Sequence, residues 1–319
     1  MLNYALKDDA EADNTGNTPI IQIKLKGLDL VNLYIKLEGE NPTGSIKDRA
    51  ASFILRKIVS NREINKNTII LESSSGNFGI SLSEFCKKIG LKFYCVIDKN
   101  ISPENEEIIH KSAGKVFKIS EADENGGYLL NRIRKIKELQ KKIPNSYWVN
   151  QYANPYNAAA YYETLGNEIC SSFRNIDYVF IGVSSGGTIT GVSQKIKLLQ
   201  PKAKVIAVDI SGSVIFGGVA KKRYIPGIGS SMVPSIIEKA KIDDVVTVSE
   251  KDTVNACRDF LKTYNHLIGG SSGSVIAAIY KYFNGKQFER AQTVITVFPD
   301  RGERYISTIY NDEWCKKII

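Results

Sequence analysis

Apolar residues alternate along this chain between two patterns. Short continuous runs, at Thr68 to Leu71, Phe93 to Ile97, Lys115 to Ile119, Asp177 to Val183, Val205 to Asp209, Val245 to Val248 and Val294 to Phe298, predict strands, several of them buried on both faces. Between them, apolar side chains recur every three to four positions. That spacing predicts helices through Ile80, Leu82, Phe85, Cys86 and Ile89, and over Glu104 to Lys111, Tyr128 to Lys141, Thr190 to Leu199, Val254 to Thr263 and Gly273 to Tyr280. Near the start, the turn Gly16-Asn17-Thr18-Pro19 precedes the runs Ile20 to Leu25 and Leu33 to Leu37, which read as paired strands. Strands alternating with helices predict an α/β fold with parallel-rich sheets flanked by helices. Residues 1 to 15, with Asp8, Asp9, Glu11 and Asp13 and little to bury, read as a mobile arm.

At 319 residues the chain is long enough for two lobes, and no Pro/Ser-rich linker divides it, so the lobes must share their crossings. The net charge of +9 is spread along the chain without a basic block, which argues against nucleic acid and for a basic surface that attracts anionic substrates. No apolar run approaches a membrane span and the first residues are acidic and polar, so the expectation is no membrane contact and a cytoplasmic location. Five cysteines without CxxC spacing read as buried thiols in a reducing compartment. With two histidines only, a histidine-rich metal centre or a Ser/His/Asp triad is not expected, nor is any metal.

The candidate chemistry gathers around Asn41-Pro42-Thr43-Gly44-Ser45-Ile46-Lys47-Asp48-Arg49. Pro42 and Gly44 end the preceding strand, and Ser45 is placed to cap a helix running through Ala50, Phe53, Ile54 and Ile58. Lys47 would stand at the start of that helix, where the helix dipole and the neighbouring Arg49 both disfavour an ammonium and so favour a nucleophilic amine. Taken alone, a lysine there is more often simply solvated. Three Gly/Ser turns add to it: Glu72 to Asn77, Val183 to Thr188 and Gly269 to Gly273. Each is expected between a strand and a helix, where backbone N–H groups converge on an anion or cofactor.

In order and spacing these stretches resemble the cysteine synthase and cystathionine β-synthase family of pyridoxal-phosphate enzymes. The likeness covers nearly the whole chain, from Gly16-Asn17-Thr18-Pro19 to Pro299-Asp300-Arg301-Gly302-Glu303-Arg304-Tyr305. It implies fold type II, as in the tryptophan synthase β subunit, with pyridoxal 5'-phosphate between two lobes. A larger lobe of residues 1–45 and 150–319 would face a smaller, mobile lobe of residues 46–149 that carries Lys47 and the substrate-carboxylate loop. A homodimer is implied too.

By the same resemblance Lys47 is the Schiff-base lysine and the base for the substrate Cα proton. Ser185, Gly186, Gly187 and Thr188 form the phosphate loop, Ser271 meets the pyridine nitrogen and Asn77 the ring's phenolic oxygen. Ser74, Ser75, Gly76, Phe78 through its backbone, and Gln151 clamp the substrate α-carboxylate; for Ser74 and Ser75 helix capping is the alternative. Phe78 stands where cysteine synthases commonly have threonine, which removes a hydroxyl and adds bulk. The implied reaction is β-replacement on a serine derivative through an α-aminoacrylate.

Asn150 to Asn154, Gly212 to Gly218, Ser230 to Pro234, Ser271 to Ile276 and Tyr310 to Trp314 are similar to a branch of the family that joins O-phospho-L-serine to L-glutamate. The product is N-(2-amino-2-carboxyethyl)-L-glutamate, a diaminopropionate precursor. In that branch Arg132 would bind an anion, with Ser185 and Tyr152 lining the pocket; the alternative for Arg132 is a solvated helix face beside Arg134 and Lys135. Cysteine synthase, a cysteine-consuming enzyme releasing hydrogen sulfide, and a catalytically silent binding partner remain the rival readings.

Overall fold

The computed structural model describes residues 14–123 and 126–318, so nearly all of the expected N-terminal arm lies outside the described residues. Two sheets organise the chain. The larger begins with β1 (Ile20–Lys24), antiparallel to β2 (Val31–Leu37). The chain then leaves it through α1 (Lys47–Ser60) and builds a smaller sheet. That sheet is made from β3 (Ile69–Ser73), α2 (Asn77–Lys88), β4 (Lys92–Asp98), α3 (Pro103–Ser112), β5 (Lys115–Ile119), α4 (Leu129–Lys142) and β6 (Ser146–Trp148). Its strand order is β5-β4-β3-β6, all parallel.

Helices α5 (Pro155–Glu163) and α6 (Leu165–Ser172) return the chain to the larger sheet, which continues with β7 (Tyr178–Gly182), α7 (Gly187–Leu199), β8 (Lys204–Ile210) and β9 (Asp244–Val248). Next come α8 (Glu250–Tyr264), α9 (Gly270–Phe283), β10 (Gln292–Phe298) and α10 (Asp312–Ile318). The order β1-β2-β10-β7-β8-β9 makes every pairing after the first parallel. Parallel strands need crossovers and covered faces, and the continuous apolar runs at β7, β8 and β10 supply side chains for both faces.

Three predicted details are corrected. The third Gly/Ser turn follows α8 and a loop, not a strand, and Ile268 pairs only through an isolated bridge to Arg301. Helix α9 starts at Gly270, so Gly270 to Gly273 form its first turn; Gly273 is required because a Cβ there would lie 2.2 Å from Cys257 Sγ on α8. Ser45 is not the cap of α1, whose N-cap is Ile46, although Ser45 Oγ accepts the Lys47 N–H at 3.3 Å. Helices α5 and α6 were not anticipated.

One apolar core crosses between the sheets. Ile46 and, on α1, Phe53, Ile54 and Ile58 pack with Ile70 and Phe93 of the smaller sheet, with Val179 and Ile181 of the larger and with Val192 on α7. All five cysteines are free, four buried and Cys170 half-buried. Among the described residues no helix is long and apolar enough to cross a membrane, and no cluster of His, Cys, Asp and Glu could hold a metal ion.

Beneath the lysine stretch lies a buried ionic cluster. Arg49 donates to Glu38 from Nε (2.6 Å) and Nη2 (2.8 Å), and to Glu168 from Nη1 (2.6 Å) and Nη2 (2.8 Å). Lys36 Nζ lies 2.7 Å from Glu168 Oε2. Burial alone would raise the Glu168 carboxyl, but the hydrogen bonds and charge of Arg49, with Lys36, outweigh it and bring the pKa down to about 2. A carboxylate depressed in the folded state adds stability that is complete above its ordinary value of 4.5 and is lost as pH falls toward 2. Unfolding free energy is therefore expected to drop steeply through that window, and Glu168→Gln to flatten this part of the profile in urea titrations across pH. An unchanged slope in the variant would contradict the assignment.

Candidate active site

The C-terminal ends of β3 and β7 run into the Ser/Gly turns, as parallel sheets deliver their loops to one edge. After β7, Gly186 sits in the left-handed region at φ +84°, which a β-carbon disfavours, and α7 begins at the next residue. Gly187 is held against Asn157, whose Oδ1 would lie 2.4 Å from an added Cβ. Ser185, Gly186 and Thr188 thus face the same cavity as Lys47 and Ser271, over an apolar floor of Ile46, Ile181, Val183, Ile189, Val297 and Pro299.

Lys47 is held there by its backbone: Ile46 N–H donates to Pro299 O at 2.7 Å, and Ser45 bridges to Asp300. Desolvation lowers the Lys47 ammonium to about 8, against the attraction of Asp300, which raises it. The predicted cause is corrected. Arg49 has turned away to Glu38 and Glu168, and burial is what depresses the lysine.

The second predicted group gathers around the β3–α2 turn, outside that cavity wall. Ser74 Oγ accepts the N–H of Gly79 at 3.0 Å, so Ser74 does serve to cap α2. Ser75 Oγ donates to Asp98 Oδ2 and accepts from Asp98 N, both at 2.8 Å, and receives Arg132 Nη1 at 3.0 Å. Gly76 is the extended N-cap of α2, and Gln151 donates from its backbone to Glu72 Oε2 at 3.2 Å. Phe78 is 2% exposed with its ring in the apolar core, so the expectation of added bulk beside a substrate is corrected; only its backbone belongs to the turn.

Arg132 is not on a solvated face. It is 12% exposed, 3.3 Å from Asp98 Oδ2 through Nη1, and its buried Nε has no hydrogen-bond partner among the described residues. Tyr152 lies in the field of Arg132, Glu72, Asp98 and Arg223, its phenol raised chiefly by burial. Glu72, fully buried under the turn, is pushed up to about 7 by desolvation, against the backbone hydrogen bonds of Ser73 and Gln151 and the charge of Arg132.

Asn77 joins the two groups. Its Nδ2 donates to Asp300 Oδ2 at 2.8 Å, and its Oδ1 accepts from Arg304. Sequence reasoning quoted Asp300 and Arg304 but gave them no role, as it gave none to Asp98 and Glu72. One signal was available: Asp300 follows a buried parallel strand at its C-terminal end, the edge where α/β sites collect.

The family model for the pyridoxal-phosphate dependent enzymes matches residues 12–300. Among solved structures, the O-acetylserine dependent cystathionine β-synthase from Helicobacter pylori is 33% identical, with a TM-score of 0.86 over 94% of this chain and 97% of that one. A hydrogen sulfide-producing enzyme from Fusobacterium nucleatum is 27% identical, with a TM-score of 0.84 over 92% and 98%. O-ureido-L-serine synthase is 26% identical, also with a TM-score of 0.84, over 95% and 98%. The cavity suits pyridoxal phosphate: a desolvated amine, a glycine-built helix N-terminus where added Cβ atoms would collide, a serine hydroxyl and an apolar floor meet at one place. The chain belongs to the pyridoxal-phosphate dependent enzyme family, of fold type II, and its cofactor is pyridoxal 5'-phosphate.

Proposed function

We propose that the enzyme catalyses β-replacement on O-phospho-L-serine with L-glutamate as nucleophile, giving N-(2-amino-2-carboxyethyl)-L-glutamate and phosphate. Pyridoxal phosphate, when bound, withdraws electrons from the substrate Cα, so that the Cα proton becomes acidic and a group on Cβ can leave. Lys47 holds the cofactor between turnovers and, once displaced by the substrate amine, takes the Cα proton; an amine near pKa 8 has a substantial neutral fraction for that task. Ser185, Gly186, Gly187 and Thr188 hold the cofactor phosphate at the start of α7, Ser271 meets the ring nitrogen, and Asn77 donates to the phenolic oxygen. The hydroxyls of Ser74 and Ser75 are engaged in shaping the turn, and Ser74 Oγ also takes the Gly76 N–H, which points to the backbone N–H groups of Ser75, Asn77 and Phe78 and the remaining N–H of the Gln151 side chain to receive the substrate carboxylate. The Cβ–O bond breaks with its electron pair leaving on phosphate, and the glutamate nitrogen forms the new bond to Cβ. The homodimer belongs to the same proposal.

The observation that carries the phosphoserine reading is Arg132. A guanidinium paired with Asp98, whose buried Nε has no partner among the described residues and whose Nη1 is bonded to the turn that would hold the substrate, is the charge an anionic leaving group needs. Arg132→Ala is expected to lower kcat/KM for O-phosphoserine on the order of 10- to 100-fold, the worth of one charge-assisted hydrogen bond, while leaving O-acetylserine within about threefold. Steady-state kinetics with both donors measure this, and equal losses would return Arg132 to a purely structural part. A second reading, O-acetylserine with a sulfur nucleophile, is favoured by the likeness to the Helicobacter pylori enzyme and predicts the opposite order of donors.

A further inference from the structure

The segment after β10 touches the lysine stretch, the Glu72–Asn77 turn and the Gly269–Gly273 turn. Ser45 bridges to Asp300, and Ile46 N–H reaches Pro299 O. Arg304 Nη2 donates to Thr43 O at 2.6 Å in the lysine stretch, while its Nη1 donates to Asn77 Oδ1. Asp300 Oδ2 accepts from Asn77 Nδ2 and from Tyr305 Oη, each at 2.8 Å. Behind the carboxylate, Gly269 leaves room that no other residue could, since a Cβ there would lie 2.0 Å from Asp300 Oδ1.

A primary amide has two chemically different ends that can exchange by a half-turn of the side chain. Which end points where is set by its partners. A carboxylate only accepts and a guanidinium only donates, so Asp300 requires the nitrogen of Asn77 and Arg304 requires its oxygen. The flipped amide would set N–H against N–H and oxygen against oxygen. We infer that Asp300 and Arg304 are positioning residues for Asn77, fixing its amide so that the second N–H of Nδ2 is kept as a donor toward the cofactor. This rests on the reading that Asn77 meets the cofactor's phenolic oxygen, an acceptor that a flipped amide would repel. Burial raises the Asp300 carboxyl above its ordinary value, against the hydrogen bonds of Asn77 and Tyr305 and the charges of Arg304 and Lys47, and Cys257 lies in its field.

The test compares resting holoenzymes of the wild type, Asn77→Ala, Asp300→Asn, Arg304→Met and the double variant Asn77→Ala/Arg304→Met. The readouts are the position of the visible cofactor band and the dissociation constant of pyridoxal phosphate. Asp300→Asn and Arg304→Met are each expected to move the band in the same direction as Asn77→Ala and to weaken the cofactor about 5-fold, the worth of one hydrogen bond. The double variant is expected to fall short of the sum of Asn77→Ala and Arg304→Met, because one of the two Arg304 contacts acts through that amide and only its bond to Thr43 O is lost independently. Wild-type bands and affinities in Asp300→Asn and Arg304→Met, beside a shifted Asn77→Ala, would overturn the positioning role alone, as would full additivity in the double variant. An unshifted band in Asn77→Ala would instead remove Asn77 from the cofactor and take the underlying reading with it. Should Asp300→Asn fail to fold, Arg304→Met and the double variant decide the question.

Discussion

Lys47→Ala is expected to lose turnover by on the order of 10⁴-fold or more, because one amine both holds the cofactor and moves the Cα proton, and general-base catalysis alone accounts for about 10²- to 10⁴-fold. The visible band of the purified protein should change with it. A small amine such as methylamine, added in solution, should restore part of the proton transfer without restoring the wild-type resting spectrum. Stability moves the other way in the apoprotein. A lysine lowered from 10.5 to about 8 by burial opposes folding wherever it is charged when unfolded but desolvated when folded. That cost is fully present below pH 8 and fades between 8 and 10.5, so apo Lys47→Met should be more stable than apo wild type at neutral pH, with the gap closing in alkali. Retained activity with an unchanged spectrum in Lys47→Ala would sink the site assignment.

Arg49→Ala should cost roughly 3–5 kcal/mol of unfolding free energy, the usual loss when one partner of a buried ion pair is removed and the other charges are stranded. Here Glu38 has a side chain 0% exposed, and Glu168 would lose its guanidinium and keep Lys36 as its ion-pair partner. Arg49→Lys should recover part of this at most, because a single ammonium cannot reproduce four hydrogen bonds to two carboxylates. The loss should reach the site. Glu38 also receives Asn41 Nδ2 and the Thr18 hydroxyl, so the loop leading to Lys47 hangs from this cluster. Denaturant midpoints of the apoproteins, with cofactor affinity beside them, measure both effects. A change under about 1 kcal/mol would mean that the cluster contributes little beyond its own desolvation.

Most strands and helices were legible because their apolar spacing is a local property of the chain; the three-residue β6 was too short to show one. The strand at Lys115–Ile119 was read with its observed bounds, and β7, β8 and β10 differ by one or two residues at an end. Helices α5 and α6 escaped because the segment from Pro155 to Ser172 mixes alanine, tyrosine and asparagine without a clear apolar stripe; Asn157 and Tyr161 are buried there for polar contacts. The cavity residues Lys47, Ser185, Gly186, Thr188 and Ser271 could be proposed from motif order, since glycine-rich turns are local devices. What could not be read were contacts between distant stretches. Arg49 was assigned an influence on Lys47 from adjacency alone, yet two residues along a helix start point different ways, and Arg49 found its partners at positions 38 and 168. Asp300 and Arg304 meet Asn77 across 223 and 227 positions, a pairing visible only after folding.

The most direct test of the proposed reaction is release of inorganic phosphate from O-phosphoserine by the holoenzyme, with and without L-glutamate, followed by mass analysis of the product. The account predicts a spectral change of the cofactor on adding O-phosphoserine, reversal on adding glutamate, and phosphate released in step with N-(2-amino-2-carboxyethyl)-L-glutamate. If O-phosphoserine leaves spectrum and phosphate unchanged while O-acetylserine shifts the cofactor band and sulfide or a thiol reverses it, the phosphoserine and glutamate assignment is wrong.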